Sequence, residues 1–389
     1  MQTYLDNSAT TRISEGALAT YCEVSREHFG NPSSLHALGF DAEKYIRSTR
    51  EELGRAIGAK DGTFVFTASG TEANNLAILG RAHAKERYRK GAKILTTEGE
   101  HASVSSPLEK LAAEGYRIAR IPTKDGVLDM DVLEKELTPD VILVTMMMVN
   151  NETGAFYDLG RVSALMSARC PDAVLHADCT QSFMKVPFTV KSAGADLITL
   201  SSHKIHGPKG VGALYVSGKL IKEKGLAAQI LGGGQENGLR SGTENVPGIA
   251  AFGTACKEER EAFNERSARI GALRERLLNA VQTDERLREI KPVLPVKFAP
   301  HLLNLTLPMI KSETMLHYLS GEGVYVSSGS ACSSNAPHLS SALTAFGRTP
   351  AEADCSIRIS FSYENTEEDV DKLVEALAGG LAKLSRMRR

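Results

Sequence analysis

The sequence has no C-x-x-C pair, no long apolar run and almost no net charge, and each lack removes a class of function. Its six cysteines, Cys22, Cys170, Cys179, Cys256, Cys332 and Cys355, are scattered without regular spacing. That argues against a disulfide framework or a zinc knuckle, and fits reduced thiols in a reducing compartment. No apolar stretch approaches the length that spans a bilayer, and "MQTYLDNSATT" at the N-terminus has neither a basic n-region nor an apolar h-region. A cytoplasmic location is expected. A formal net charge of -1 gives no general attraction to nucleic acid or to an anionic membrane.

What is present is the pattern of a soluble α/β protein. At 389 residues, 42% of them hydrophobic, the chain exceeds the size at which one core stops growing, so a large and a smaller domain are expected. Short apolar runs alternate with longer amphipathic ones, the appearance of parallel strands joined by crossover helices. "TFVFT" (63–67), "KILTT" (93–97), "VILVTMMMV" (141–149), "AVLHA" (173–177), "DLITL" (196–200) and "GALYV" (212–216) read as strands of a doubly wound sheet. Helices are expected from Thr71 to about Arg89 and from about Val104 to Ala113. From Val246 to about Leu287 the pattern is one long charged helical stretch. "VLPVKF", "LLNLTL" and "SIRISF" then read as strands around a helix near Glu313–Leu319, and Thr366 with Asp369 caps a final helix.

In open α/β sheets ligands sit beyond the carboxyl ends of the strands, and that is where chemistry-bearing residues fall. "TFVFTA" is followed by "SGTEANN", in which Gly70 and Thr71 open a helix whose free N–H groups suit a phosphate. "KILTTEGE" leads to His101, "MMMV" to Asn151, and "AVLHA" to Asp178 and Gln181. Taken singly, each is more readily a cap or a satisfied structural residue; their weight comes from falling at one end of one sheet. "DLITLSSHKIHGPKG" empties a buried strand into Ser201, Ser202, His203 and Lys204 before a glycine turn. Such crowding is costly unless something binds there, and a partly desolvated lysine beside other cations is suited to imine formation with an aldehyde.

Read in order, "YLDNSATT", "FGNPSSLH", "TASGTEANN", "EGEHASV", "NNETG", "HADCTQ", "SSHKIHGPKG", "GGGQENGLRSGTENV", "SSGSACSS" and "SIRISF" resemble the motifs of the cysteine desulfurases. These are pyridoxal 5'-phosphate enzymes of the class V aminotransferase superfamily. The resemblance implies the type I aminotransferase fold as a homodimer. A large cofactor domain is expected over 15–255, and a smaller α+β domain over 1–14 and 256–389. It implies that Lys204 bears the cofactor as an imine, that Asp178 pairs with the ring nitrogen, and that His101 stacks on the ring and moves a proton. Gln181 and Asn151 become polar ring contacts; Gly70, Thr71, Ser201 and His203 phosphate contacts; Thr243 a phosphate contact supplied by the partner subunit. Arg358, assisted by Asn31, matches the fork onto the substrate carboxylate, a geometry lysine cannot copy.

The same resemblance makes Cys332, set among serines, glycine and alanine, the thiol that takes sulfur from L-cysteine and passes it to an acceptor protein. The long segment from Cys332 to Arg358 is similar to the subgroup serving iron-sulfur cluster assembly or nitrogenase maturation. Cys179, Thr180 and His206 depart from the family's usual residues at their positions. Cys355, Cys22, Cys170 and Cys256 read as packed residues. The alternatives are a selenocysteine lyase or an aminotransferase on the same scaffold, or a catalytically silent protein that binds pyridoxal phosphate as a partner in a sulfur-transfer complex.

Overall fold

The computed structural model describes residues 2–89, 91–328 and 340–386, so Cys332 lies outside the described residues. Its centre is a seven-stranded sheet in the order Thr63–Thr67, Gly212–Val216, Leu197–Ser201, Val174–Asp178, Val141–Met147, Lys93–Thr97 and Arg117–Ile121. Side chains alternate faces along a strand, and here both faces are apolar. Phe66, Leu95, Val144, Leu175 and Ile198 enter one core, while Val65, Ile94, Leu143, Val174 and Leu197 enter the other. Burial on two sides is why these strands read as continuous apolar runs rather than alternating ones. Gly212–Val216 is antiparallel to both neighbours and the other pairings are parallel.

A smaller sheet runs in the order Lys291–Val293, Leu302–Thr306, Ser356–Ser360, Ser327–Ser328, all antiparallel. Its core joins Leu5 from the N-terminus to Leu277, Leu303, Met315, Ile357, Ile359 and Leu373. Thr3–Tyr4 pairs in parallel with Val324–Tyr325, so both chain ends build this unit. The final helix, Glu367–Arg386, starts at a reciprocal cap: Asp369 N donates to Thr366 Oγ1 at 3.4 Å and Thr366 N to Asp369 Oδ2 at 3.1 Å.

Four sequence expectations change. The long helical stretch is two helices, Val246–Glu261 and Phe263–Thr283, broken at Ala262, whose φ of -103° and ψ of 11° leave the helical basin. "VLPVKF" contributes only its first residue, Val293, to the sheet, at the end of the strand Lys291–Val293; Pro295 has no N–H for a ladder, and Leu294, Val296 and Phe298 are exposed. The helix after "TFVFTA" runs Gly70–His83, followed by a separate 3-10 turn at Glu86–Arg89. Cys22 is exposed rather than packed, whereas Cys170, Cys256 and Cys355 are buried. Helices Glu15–Glu27 and Ala37–Ile57 stand out less in the sequence; they pack on Val246–Glu261, with Ala17 against Ala251 and Ala255. Among the described residues no helix is long and apolar enough to cross a membrane.

Candidate active site

Parallel strands point their carboxyl ends the same way, and the residues just past them converge on one cavity of 190 Å³. Ser8, Ser69, Gly70, Thr71, His101, Asn151, Asp178, Thr180, Gln181, Ser201, His203, Lys204 and Arg358 all line it. The strand Leu197–Ser201 ends in a 3-10 turn, Ser202–Lys204, which lifts Lys204 over the sheet edge. There Lys204 Nζ donates to the carbonyls of Ser8 at 2.6 Å and Ala9 at 2.8 Å, so the N-terminal segment forms the wall that orients it.

Asp178 ends the strand Val174–Asp178 and is 5% exposed. Its carboxylate accepts from Asn74 Nδ2 at 2.8 Å and from Thr180 N at 2.9 Å. Asn74 also donates to Ser103 Oγ at 2.8 Å, and that hydroxyl lies 2.8 Å from His101 Nδ1. Because Ser103 N–H also donates to His101 Nδ1, at 3.1 Å, the pattern assigns Nδ1 as acceptor and the ring proton to Nε2. Burial, helped by the Lys204 and Arg358 cations and opposed by Asp178, holds the His101 pKa below its usual value. The imidazole is therefore neutral at pH 7, with its orientation fixed through Asn74 and Ser103. His203 is likewise pushed down to about 4, first by burial and then by Lys204, and its Nδ1 lies 3.1 Å from Thr10 Oγ1.

Arg358 reaches the cavity from the small sheet. One amino group, Nη1, donates to Asn151 O at 2.9 Å, and the other, Nη2, to Asp6 Oδ1 at 2.9 Å, which pins the guanidinium between the two sheets. Burial raises the pKa of Asp6 and the Arg358 cation opposes that rise. Below the cavity Glu100 accepts from Thr97 Oγ1 at 2.7 Å and from Met147 N at 3.0 Å; being fully buried, its carboxyl is pushed up to about 8.

The cavity fits pyridoxal phosphate. Gly70 opens the helix Gly70–His83, and a Cβ added there would stand 3.2 Å from Thr180 Oγ1 and 3.3 Å from Ser201 Cβ, filling the space at the helix N-terminus that an anion needs. Among the described residues, Ser8 Oγ, Gln181 Oε1 and Arg358 Nε are buried without a hydrogen-bond partner, and each belongs to a residue that lines the cavity, where a ligand can satisfy it. Lysine, carboxylate and a phosphate cradle thus face one another. Among the described residues no cluster suited to a metal ion is found.

Ten of the expected site residues thus meet at this cavity. Two do not. Asn31 is exposed and absent from the lining, and its Oδ1 accepts from Ser33 N at 2.9 Å, a local turn bond. Thr243 is exposed and does not line the cavity of the single chain. Thr180 lines the cavity, Cys179 is buried in the core with its thiol pKa raised by burial, and His206 packs on Tyr363 with ring centroids 4.3 Å apart. Sequence reasoning missed Asp6, Ser8, Asn74 and Ser103; Asn74 carries a signal, being a polar residue on the buried side of its helix.

Fold and cavity together define a class, the pyridoxal-phosphate proteins of aminotransferase architecture. More narrowly, the chain belongs to the class V aminotransferase family, whose model matches residues 3–373. It is 37% identical over 388 residues to cysteine desulfurase IscS 1 of Archaeoglobus fulgidus, covering 99% of this chain and 98% of that one. A solved NifS-like protein superposes with a TM-score of 0.90 at 31% identity, over 98% of this chain and 100% of the other. SspA in complex with cysteine gives a TM-score of 0.76 at 27% identity, over 94% and 100%.

Proposed function

We propose that this chain is a cysteine desulfurase that converts L-cysteine to L-alanine and delivers the sulfur to a cysteine of its own and then to an acceptor protein. One observation carries the reading: Lys204, Asp178 and His101, from the ends of three strands of the large sheet, and Arg358, from the middle of a strand of the small sheet, line one cavity. When bound, pyridoxal phosphate supplies an aldehyde that captures an amine and a ring that accepts the electrons of a carbanion.

The residues around it have separable tasks. The N–H groups opening Gly70–His83, with Ser201 and His203, hold the phosphate. Asp178, held in place by two donors, stabilises a proton on the ring nitrogen. Arg358 binds the substrate carboxylate through its forked guanidinium, already oriented by Asp6 and Asn151. Lys204 carries the cofactor and then takes the Cα proton of the substrate. His101, neutral and with its proton on Nε2, offers a proton toward the cavity. Cys332 is the sulfur acceptor; with its thiol and L-cysteine as reactants, L-alanine and a Cys332 persulfide balance in atoms and electrons.

The cysteine-bound relative and the desulfurase names of the similar chains support this substrate. A cytoplasmic homodimer serving iron-sulfur cluster assembly, with Thr243 completing the partner's phosphate site, belongs to the same proposal. The test is sulfide and alanine release from L-cysteine under reducing conditions. Lys204→Ala is expected to lower both by at least about a thousandfold and to abolish a borohydride-fixed label. Cys332→Ala is expected to abolish turnover while leaving the label. Full turnover by Cys332→Ala would favour a selenocysteine lyase or a transaminase, and a loaded wild-type protein releasing neither product would favour a silent relative.

A further inference from the structure

Behind Lys204, away from the cofactor cavity, lies a second and much smaller hollow of 20 Å³, lined by Lys185, Lys204, His206, Glu259, His301, Ser362 and Tyr363 among others. It has room for one water. The stem of Lys185 is half-buried, but its amine has no solvent contact, and among the described residues Nζ has no hydrogen-bond partner. His301, 1% exposed, presents two ring nitrogens that also have none. Three unpartnered buried polar atoms around one chamber are an expense that calls for a cause. Nothing in the chemistry assigned above uses them.

Their common neighbour is Lys204, which lines both hollows. We propose that Lys185 is a positioning residue for Lys204: across the chamber they share, its ammonium repels a proton from the Lys204 nitrogen and biases that nitrogen toward its unprotonated, reactive state. The inference rests on the cofactor reading of Lys204. Two carbonyls, of Ser8 and Ala9, favour an ammonium at Lys204, so a device pressing the other way has a purpose. Repulsion between the two amines is mutual. Burial first, and the Lys204 cation second, push the Lys185 amine down to about 7. Lys185 therefore changes charge within the working range of pH.

The other groups around the chamber do not cancel this effect. Glu259, on the helix Val246–Glu261, attracts the Lys185 proton, but it is itself bound by Arg266 at 2.9 Å and pushed up to about 7, chiefly by burial. From the turn after the strand Leu197–Ser201 come His203 and His206, pushed down to about 4 and about 3, chiefly by burial, and hence neutral. His301, before the strand Leu302–Thr306, is held well below its usual range by burial and is neutral too. From the strand Ser356–Ser360 and the turn beyond it come Arg358, already paired with Asp6, and Tyr363, covered by Arg266 with Cζ 3.7 Å from the ring centre.

The test uses the full chain loaded with pyridoxal phosphate, following its visible absorbance against pH. Lys185→Met removes the cation and keeps an apolar stem; removing an unpartnered buried amine is compatible with folding. The midpoint is expected to rise by roughly one pH unit, since a neighbouring like charge lowers a pKa. Should that variant fail to fold, Lys185→Gln, which keeps a donor in the chamber, reads the same shift. A purely structural role would weaken loading or stability and leave the midpoint in place, and an unchanged midpoint overturns the proposal. A wild-type chain that takes up no cofactor overturns the reading of the site and this inference with it, whereas a loaded wild type with an unmoved variant sinks the inference alone.

Discussion

Lys204 stands between two hollows of opposite character. The 190 Å³ cavity in front of it gathers polar side chains from strand ends and offers buried donors and acceptors to a ligand. The 20 Å³ chamber behind it is water-sized and, Lys204 apart, is lined by side chains given no task toward substrate. The difference separates two means of controlling one amine. Contacts in front decide what it meets, and charge behind biases whether it holds a proton. Changes on the front side should therefore alter binding and turnover, whereas changes behind should move a pH midpoint with substrate affinity kept.

The sharpest way to break that division is at Arg358. Lysine keeps the charge but loses the fork, so Arg358→Lys is expected to raise the KM for L-cysteine roughly 30-fold, ~2 kcal/mol of lost carboxylate binding, with kcat less affected. Steady-state kinetics at fixed cofactor saturation measure it, and a KM within twofold of wild type would remove Arg358 from substrate recognition. A smaller effect is expected one step from the cavity. Asn74→Ala strips one donor from Asp178 and breaks the link to Ser103 and His101. Turnover should fall roughly tenfold, ~1.4 kcal/mol, as expected for one lost bond to a buried charge. If cofactor retention and turnover both stay at wild-type values, the chain from Asp178 to His101 plays no part in the reaction.

The smallest effect is expected beneath the cavity, at Glu100. Its folded pKa, about 8, lies above the ordinary 4.5 because burial penalises the charged form. The folded state therefore holds a proton that the unfolded state releases. The contribution is complete below pH 4.5 and is lost as pH rises through about 8. Glutamine can accept the same bonds from Thr97 and Met147 without ionising. Glu100→Gln should leave Tm unchanged at pH 5 and raise it by roughly 5 °C at pH 9, read by thermal unfolding. Equal Tm differences at both pH values would show that Glu100 is not the titrating group.

Much of the front cavity was legible in the sequence because its residues follow apolar runs directly. The runs ending before Gly70, His101, Asn151, Asp178 and Lys204 are strands of one sheet, so their ends share one edge once the strands align. Asn74 and Ser103 were less legible, because they reach the site from helices, where a polar residue on the inward face looks like any small core residue. Asp6 and Ser8 come from the N-terminal segment, which the sequence presents as far from Arg358 as the chain allows. Asn31 shows the opposite case: it sits in a motif the sequence singles out, yet it does not line the cavity of this chain and its Oδ1 is engaged by Ser33 N.

By itself the sequence determined the alternation of strands and helices, the lysine at a strand end and the motifs that carry the family. Those depend on neighbours a few residues apart, whose periodicity and turn chemistry the chain states directly. Tertiary structure decided which distant groups surround the amine: Asp6 on Arg358, Ser8 and Ala9 on Lys204, and Lys185 with Glu259 and His301 in the chamber behind it. Burial and charge proximity set protonation, and both exist only after segments far apart in the chain have packed.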